Sequence, residues 1–446
     1  MNIHGRAMWF FEQEARSLIV RISRLRPFAL LTPMVPAATV PPAAQAAIEN
    51  HLIDARRNLR ANIVEFLRWL LGDGRYATPA EAQSRIVFLR LRFNAVIAQF
   101  YIFADVLTQR SEHGTGVWIA GLDDFAADAL SLPGGYYQAP PVICYVDRGH
   151  GGAIRRARTR LPGGDRNPVA VIRIPHERLI GSGIASSLVH ETGHQAAQLL
   201  NLINPLRAVI HERQKANGAS ALAWGLWERW ISEIVADFWG VAKVGVASTL
   251  GLMSLVSLPK PFVFRVDLHD PHPTPWIRVK LSCAIGDALY PSPQWQALAE
   301  LWESFYPLAE ASAEARATIA MLQNTLSDFV AMLANYRPRM LRGKSLKEVM
   351  PLQERQPWRL ASLYDAWKGS FARMRVAPPS LVFAVIGQAK ADRKISPEVE
   401  GSLLADLLSY WALRSALDTS TICATQPRVR LEQPPALGRG LTMTLQ

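Results

Sequence analysis

His190, Glu191, Thr192, Gly193 and His194 form an H-E-x-x-H pentad inside the apolar, helix-compatible run 184–200. On an α-helix, positions i and i+4 share one face, so both imidazoles can address a single cation. Glu191 sits beside that face, within reach of a water there. Imidazole nitrogens are zinc donors and zinc acidifies water, so these residue types at this spacing suggest metal-assisted hydrolysis, with Glu191 as the proton acceptor. Ile184, Leu188 and Val189 form an apolar stripe around the pentad. Unpaired His and Glu side chains in such a setting are costly to desolvate, and a bound cation removes that cost. Ser182 or Gly183 is the expected N-cap of the helix, Asn201 and Asn204 are exit residues, and Pro205 is its expected end.

A catalytic zinc usually has three protein ligands and one open position. Residues 227–239 read as a second apolar helix, in which Glu233 and Asp237 are spaced i, i+4 on one face. Glu233 is the candidate third ligand of one zinc per chain. Asp237 is the candidate acceptor for the second ring N–H of a ligand histidine, a bond that fixes the tautomer and raises the basicity of the ring. A third segment, Asp270-Pro271-His272-Pro273-Thr274-Pro275-Trp276-Ile277-Arg278, is stiffened by proline and brings another imidazole and a guanidinium.

The order H-E-x-x-H, E-x-x-A-D (Glu233 to Asp237) and H-P-x-x-x-x-R (His272 to Arg278) resembles the gluzincin metallopeptidases of thermolysin-like architecture. The third motif is similar to that of the CAAX prenyl endopeptidase family and its bacterial heat-shock protease relatives. The resemblance spans about residues 184–278. It implies that His272 helps to stabilise the oxyanion, and that Arg278 supports the site or the substrate backbone. It also implies a small sheet ahead of the H-E-x-x-H helix, one edge strand of which pairs with the extended substrate. Members of that family are membrane-embedded. Here the best apolar run, 244–258, is short and interrupted by Ser, Thr and Gly, so it is expected to be a buried helix behind the site, with no transmembrane anchoring.

The elements that must hold these residues read as mainly α with a small β-sheet, an α+β fold. An amphipathic N-terminal segment, with Leu18, Ile19, Ile22 and Leu25 on one side, and a Pro/Ala-rich linker fill 1–42. A helical region occupies 43–139, with helices over 43–71 and 81–108. The metallopeptidase core spans 140–280 and begins with β-rich runs at 142–146 and 169–174, separated by a basic stretch at 154–161. A second helical region, with proline breaks and a last helix at 396–415, covers 281–423, and 424–446 is a tail. The three Cys residues form no C-x-x-C pair, and the N-terminus has no signal-peptide pattern, so a soluble cytoplasmic protein is expected. The net charge of +12 accompanies no nucleic-acid-binding module, so the expected partner is a protein or peptide substrate. The competing reading is a zinc-stabilised structural or binding protein, in which His150, His211, His269 or Asp270 closes the coordination shell.

Overall fold

The computed structural model describes residues 2–425, except 150, 180, 217, 268, 269 and 369 and the side chains of 178, 219 and 422–425. It is mainly helical, with one small sheet. Three helices come first: α1 (Ile3–Arg24), α2 (Pro42–Leu71) and α3 (Pro79–Thr108). Asn2 caps α1 by accepting from the Gly5 amide, and Thr78 caps α3 by accepting from the Glu81 amide. Phe11, Ala15, Leu18 and Ile22 recur at helical spacing along α1 and are buried against α2 and α3. Each large apolar side chain so buried contributes roughly 1.5–3 kcal/mol. The 27–42 stretch, readable from its Pro/Ala content as a linker or a crossing loop, is a crossing loop. Ala29, Ala37, Ala38 and Val40 are buried, and a 3-10 turn at Pro36–Ala38 packs on later helices.

The helix α4 (His113–Leu130) leads to the sheet of β1 (Val142–Asp147), β2 (Ala153–Arg155) and β3 (Ala170–Pro175). The spatial order is β1-β3-β2, with β1 parallel and β2 antiparallel to β3. The sheet is the wall between two cores. Ile143, Val169 and Val171 face the α1–α3 layer, while Cys144, Val146, Ala170, Ile172 and Ile174 belong to the larger core behind it. That alternation is the two-residue period of a strand buried on both sides.

The larger core is built on α5 (Gly183–Leu199), α6 (Ile203–Ala216), α7 (Ala221–Val244), α8 (Val246–Val256), the short α9 (Lys260–Val263) and α10 (Pro275–Leu289). The remaining helices are α11 (Pro293–Phe305), α12 (Ala313–Asn335), α13 (Pro357–Trp367), α14 (Phe371–Val376), α15 (Pro379–Ala391) and α16 (Pro397–Thr425). Part of the tail expected from 424 onward lies outside the described residues.

Ser182 is the N-cap of α5, as expected, although it makes no side-chain cap bond; its amide donates to Glu400 of α16 at 3.2 Å. A carboxylate there complements the positive helix end. Pro205 does not end α5. Asn201, at φ +50°, turns the chain out, and Pro205 sits in the first turn of α6, where its missing N–H has no consequence. The 244–258 run becomes α8, largely buried beside α5 and α7. It is not the most membrane-like segment. By length and composition Pro79–Ser111 alone among the described helices could cross a membrane, with mean hydropathy 1.5 and a third of that window buried.

Candidate metal centre

α5 and α7 run antiparallel, so His190 faces Asp237 and His194 faces Glu233. The helices can approach this closely because Gly193 lies at the contact. A Cβ there would come within 2.8 Å of the Ala236 Cα and 2.9 Å of the Trp239 Cβ. Tryptophans anchor α7 to its other neighbours: Trp239 Nε1 donates to the Ala129 carbonyl of α4 at 3.0 Å, and Trp227 Nε1 donates to the Thr325 hydroxyl of α12 at 2.9 Å.

One donor atom each from His190, His194 and Glu233 lies within 4.8 Å of the others. The three side chains are only 12%, 14% and 13% exposed, so little water reaches them. Glu233 Oε2 stands 3.1 Å from His190 Nε2, 3.4 Å from His194 Nε2 and 3.2 Å from His272 Nε2. His190 Nδ1 is bonded to Asp237 Oδ1 at 2.8 Å, which leaves Nε2 to face the cluster. Two nitrogens and a carboxylate oxygen, with the second nitrogen of His190 already committed, are a donor set suited to zinc.

The electrostatics favour a positive charge at the same place. Burial works against protonation of His190, but Asp237 and Glu233 overcome it and raise its pKa to about 9. Burial works against ionisation of Glu233, yet His190, His194 and His272 hold its carboxyl well below the usual range. Glu191 behaves differently. It is 7% exposed, touches none of the three ligand atoms, and burial raises its pKa. Gly152, immediately ahead of β2, closes over it, since a Cβ there would lie 3.0 Å from Glu191 Oε1.

Asp237 is itself held by Arg278, whose Nε and Nη2 donate at 2.7 and 2.9 Å to its two oxygens. The guanidinium is buried and engaged, so Arg278 touches the cluster only through Asp237 and His190. Arg278 also lines the cleft above the pentad. His272 lies at the mouth, 44% exposed. Asp270 accepts from the His272 amide at 2.9 Å and stands 2.8 Å from Nδ1, so it sets the orientation of the ring. That role for Asp270 was missed in the sequence, although the i, i+2 Asp-Pro-His spacing is the signal of such a turn. His211 is turned away, 3.7 Å from Glu228 on an exposed surface, and is not part of the cluster. His150 and His269 lie outside the described residues.

The cleft over the pentad has a volume of ≈ 90 Å³. Gly151, Gly152, Ser187, Leu252, Leu255 and His272 line it together with His190, Glu191 and Asp237. Leu252 and Leu255 place α8 against this cleft, in keeping with the buried helix expected behind the site from the apolar run 244–258. No protein-family profile, curated protein or solved structure matches this chain.

Proposed function

We propose that this chain is a zinc-dependent peptidase of gluzincin type, similar in its catalytic core to the CAAX prenyl endopeptidases and heat-shock proteases, acting on a protein or peptide. The observation that carries the reading is a compact His190, His194 and Glu233 donor set with a buried carboxyl, Glu191, beside it and uncommitted to it. Zinc held by that set supplies Lewis acidity and brings the pKa of water there towards about 7. Glu191 accepts the proton of the attacking water and returns it to the leaving amine, a task suited to a carboxyl whose pKa burial has raised. His272, at the mouth of the cleft, donates from Nε2 to the developing oxyanion. Asp237 and Arg278 are positioning residues: they hold His190 and its tautomer. The reading includes a soluble, cytoplasmic enzyme, in keeping with free, buried Cys144 and Cys283.

The test pairs metal analysis with cleavage. Wild type should bind one zinc per chain and cleave an unfolded protein substrate such as casein. Glu191→Gln should keep the zinc and lose about 10²–10⁴ of the rate. The His190→Ala/His194→Ala variant should lose the metal. Stoichiometric zinc in that double variant, or full turnover by Glu191→Gln, overturns the assignment.

A further inference from the structure

The two edges of the sheet are not equivalent. On the outer side of β1, the Cys144 amide donates to Asp123 at 2.6 Å and its carbonyl accepts from Arg110 at 2.6 Å. The Val146 amide and carbonyl are likewise taken by Gln109, at 2.8 and 2.7 Å. Side chains thus occupy the hydrogen-bonding positions of that edge. The opposite edge is β2, and among the described residues no strand pairs with its outer side. β2 is also fixed against the pentad helix. Gly152 packs on Glu191 at one end; at the other, the Ala157 amide donates to Gln195 at 2.8 Å and its carbonyl accepts from Gln198 at 3.1 Å.

Register determines what lies beside this open edge. Tyr145, Arg173 and Ala153 form one row across the sheet; Ile143, Val171 and Arg155 form the next row of the same face. That face is turned away from α5 and towards α3. Between it and α3 lies a groove of ≈ 550 Å³, lined by Ile102, Asp105, Tyr145, Arg155, Arg156 and Arg173 among others. Three guanidiniums oppose a single carboxylate. Among the described residues none of the three is in an ion pair, and Arg173 Nε is buried without a hydrogen-bond partner. The groove therefore carries an excess of positive charge that an incoming carboxylate neutralises through charge-assisted hydrogen bonds.

We infer that the groove reads an acidic side chain of a polypeptide bound as an added strand along β2, with Arg155 and Arg173 as specificity-determining residues. This rests on the peptidase reading for its consequence in cleavage, but not for the binding itself. Side chains of an added strand alternate between the catalytic cleft and the groove. From Gly152, beside Glu191, to Arg155 is three residues, about 10 Å along a strand. The acidic residue therefore falls about three positions from the scissile bond.

The experiment uses zinc-loaded full-length protein carrying Glu191→Gln and fluorescein-labelled twelve-residue peptides, identical except for Glu or Gln at alternate positions. Anisotropy should show the Glu peptide binding about tenfold or more tightly, an advantage that shrinks with salt. Arg155→Gln/Arg173→Gln protein, checked for folding by circular dichroism, should lose the preference. Equal binding of the two peptides, or a preference that survives in the double variant, overturns the inference. So does displacement of the Glu peptide from wild-type arginines only by single-stranded RNA that itself binds more tightly through them. Cleavage mapping with wild type separates the two readings. Efficient cleavage with no acidic preference removes the groove and leaves the peptidase. Arginine-dependent binding without any cleavage removes the peptidase and leaves the groove.

Discussion

Two forked Arg–Asp pairs are buried in this molecule, and they end on different groups. Arg110 donates to both oxygens of Asp123 at 2.8 and 3.1 Å, and the pair terminates on the backbone of Cys144 in β1. Arg278 likewise donates to both oxygens of Asp237, but that pair terminates on His190 Nδ1, one ring away from the candidate metal site. The first joins α4 to the sheet and leaves nothing facing a cavity. The second spends one carboxylate oxygen on orienting an imidazole. Both pairs are bidentate, end-on at Arg110 and side-on at Arg278, yet one acts as a clamp and the other orients an imidazole, and the group on which each pair terminates makes the difference.

The largest expected effect separates them by stability. Asp123→Asn leaves a buried guanidinium without its counter-charge and should cost about 3–5 kcal/mol, seen as a lower denaturation midpoint. The protein that remains folded should bind zinc as wild type does. Loss of zinc in step with the loss of Asp123 would make the clamp part of the site and dissolve the distinction. Next comes His272→Ala, which removes a donor at the mouth of the cleft and should lower kcat by about 10²-fold with little change in zinc content. Departure of zinc from this variant would make His272 a fourth ligand and favour the closed, structural type of site.

Asp237→Asn should have a smaller effect on the site. Zinc affinity should fall about 10–100-fold, because His190 loses the acceptor that fixes its tautomer. Competition with a chromophoric chelator measures this, and unchanged affinity would reduce Asp237 to a second clamp. The smallest effect is one of pH, in the metal-free protein. His190 is raised from 6.5 to about 9, so its stabilising contribution is complete below about 6.5 and is lost as the pH rises through about 9. Melting temperatures should decline across that window in wild type and not in His190→Ala. A decline of equal size in the variant would assign the titration to another group.

The pentad, Glu233 and Asp237 were legible in the sequence because helices convert spacing into facing: i, i+4 on α5 meets i, i+4 on α7. The mainly helical class with a small sheet was legible for a related reason, the change from a period of 3.6 to short β-branched runs at Val142–Asp147 and Ala170–Pro175. Burial on all sides erased other signals. In α4, Ile119, Leu122, Phe125, Ala126 and Ala129 leave only a narrow polar strip at Asp124 and Asp128 to mark the period, so the helix that carries Asp123 was not resolved from its surroundings. Strand order, the attachment of 27–42 to the later helices and the bond from Ser182 to Glu400 depend on partners far away in the chain, which local pattern does not encode.

The contact at Gly193 bears on which ion the site can accept. With no side chain between α5 and α7 there, the spacing of the two backbones is set by direct contact, and the spread of the donor atoms follows from it. Zinc–nitrogen bonds are about 2.0–2.1 Å, whereas calcium prefers six to eight oxygens at about 2.3–2.6 Å. If a metal is held here, two imidazole nitrogens and one carboxylate oxygen favour an ion of the zinc type over the larger, harder one. Widening the helix spacing by a single methyl group at Gly193 should relax that discrimination, so ionic selectivity here depends on a residue with no side chain to offer any metal.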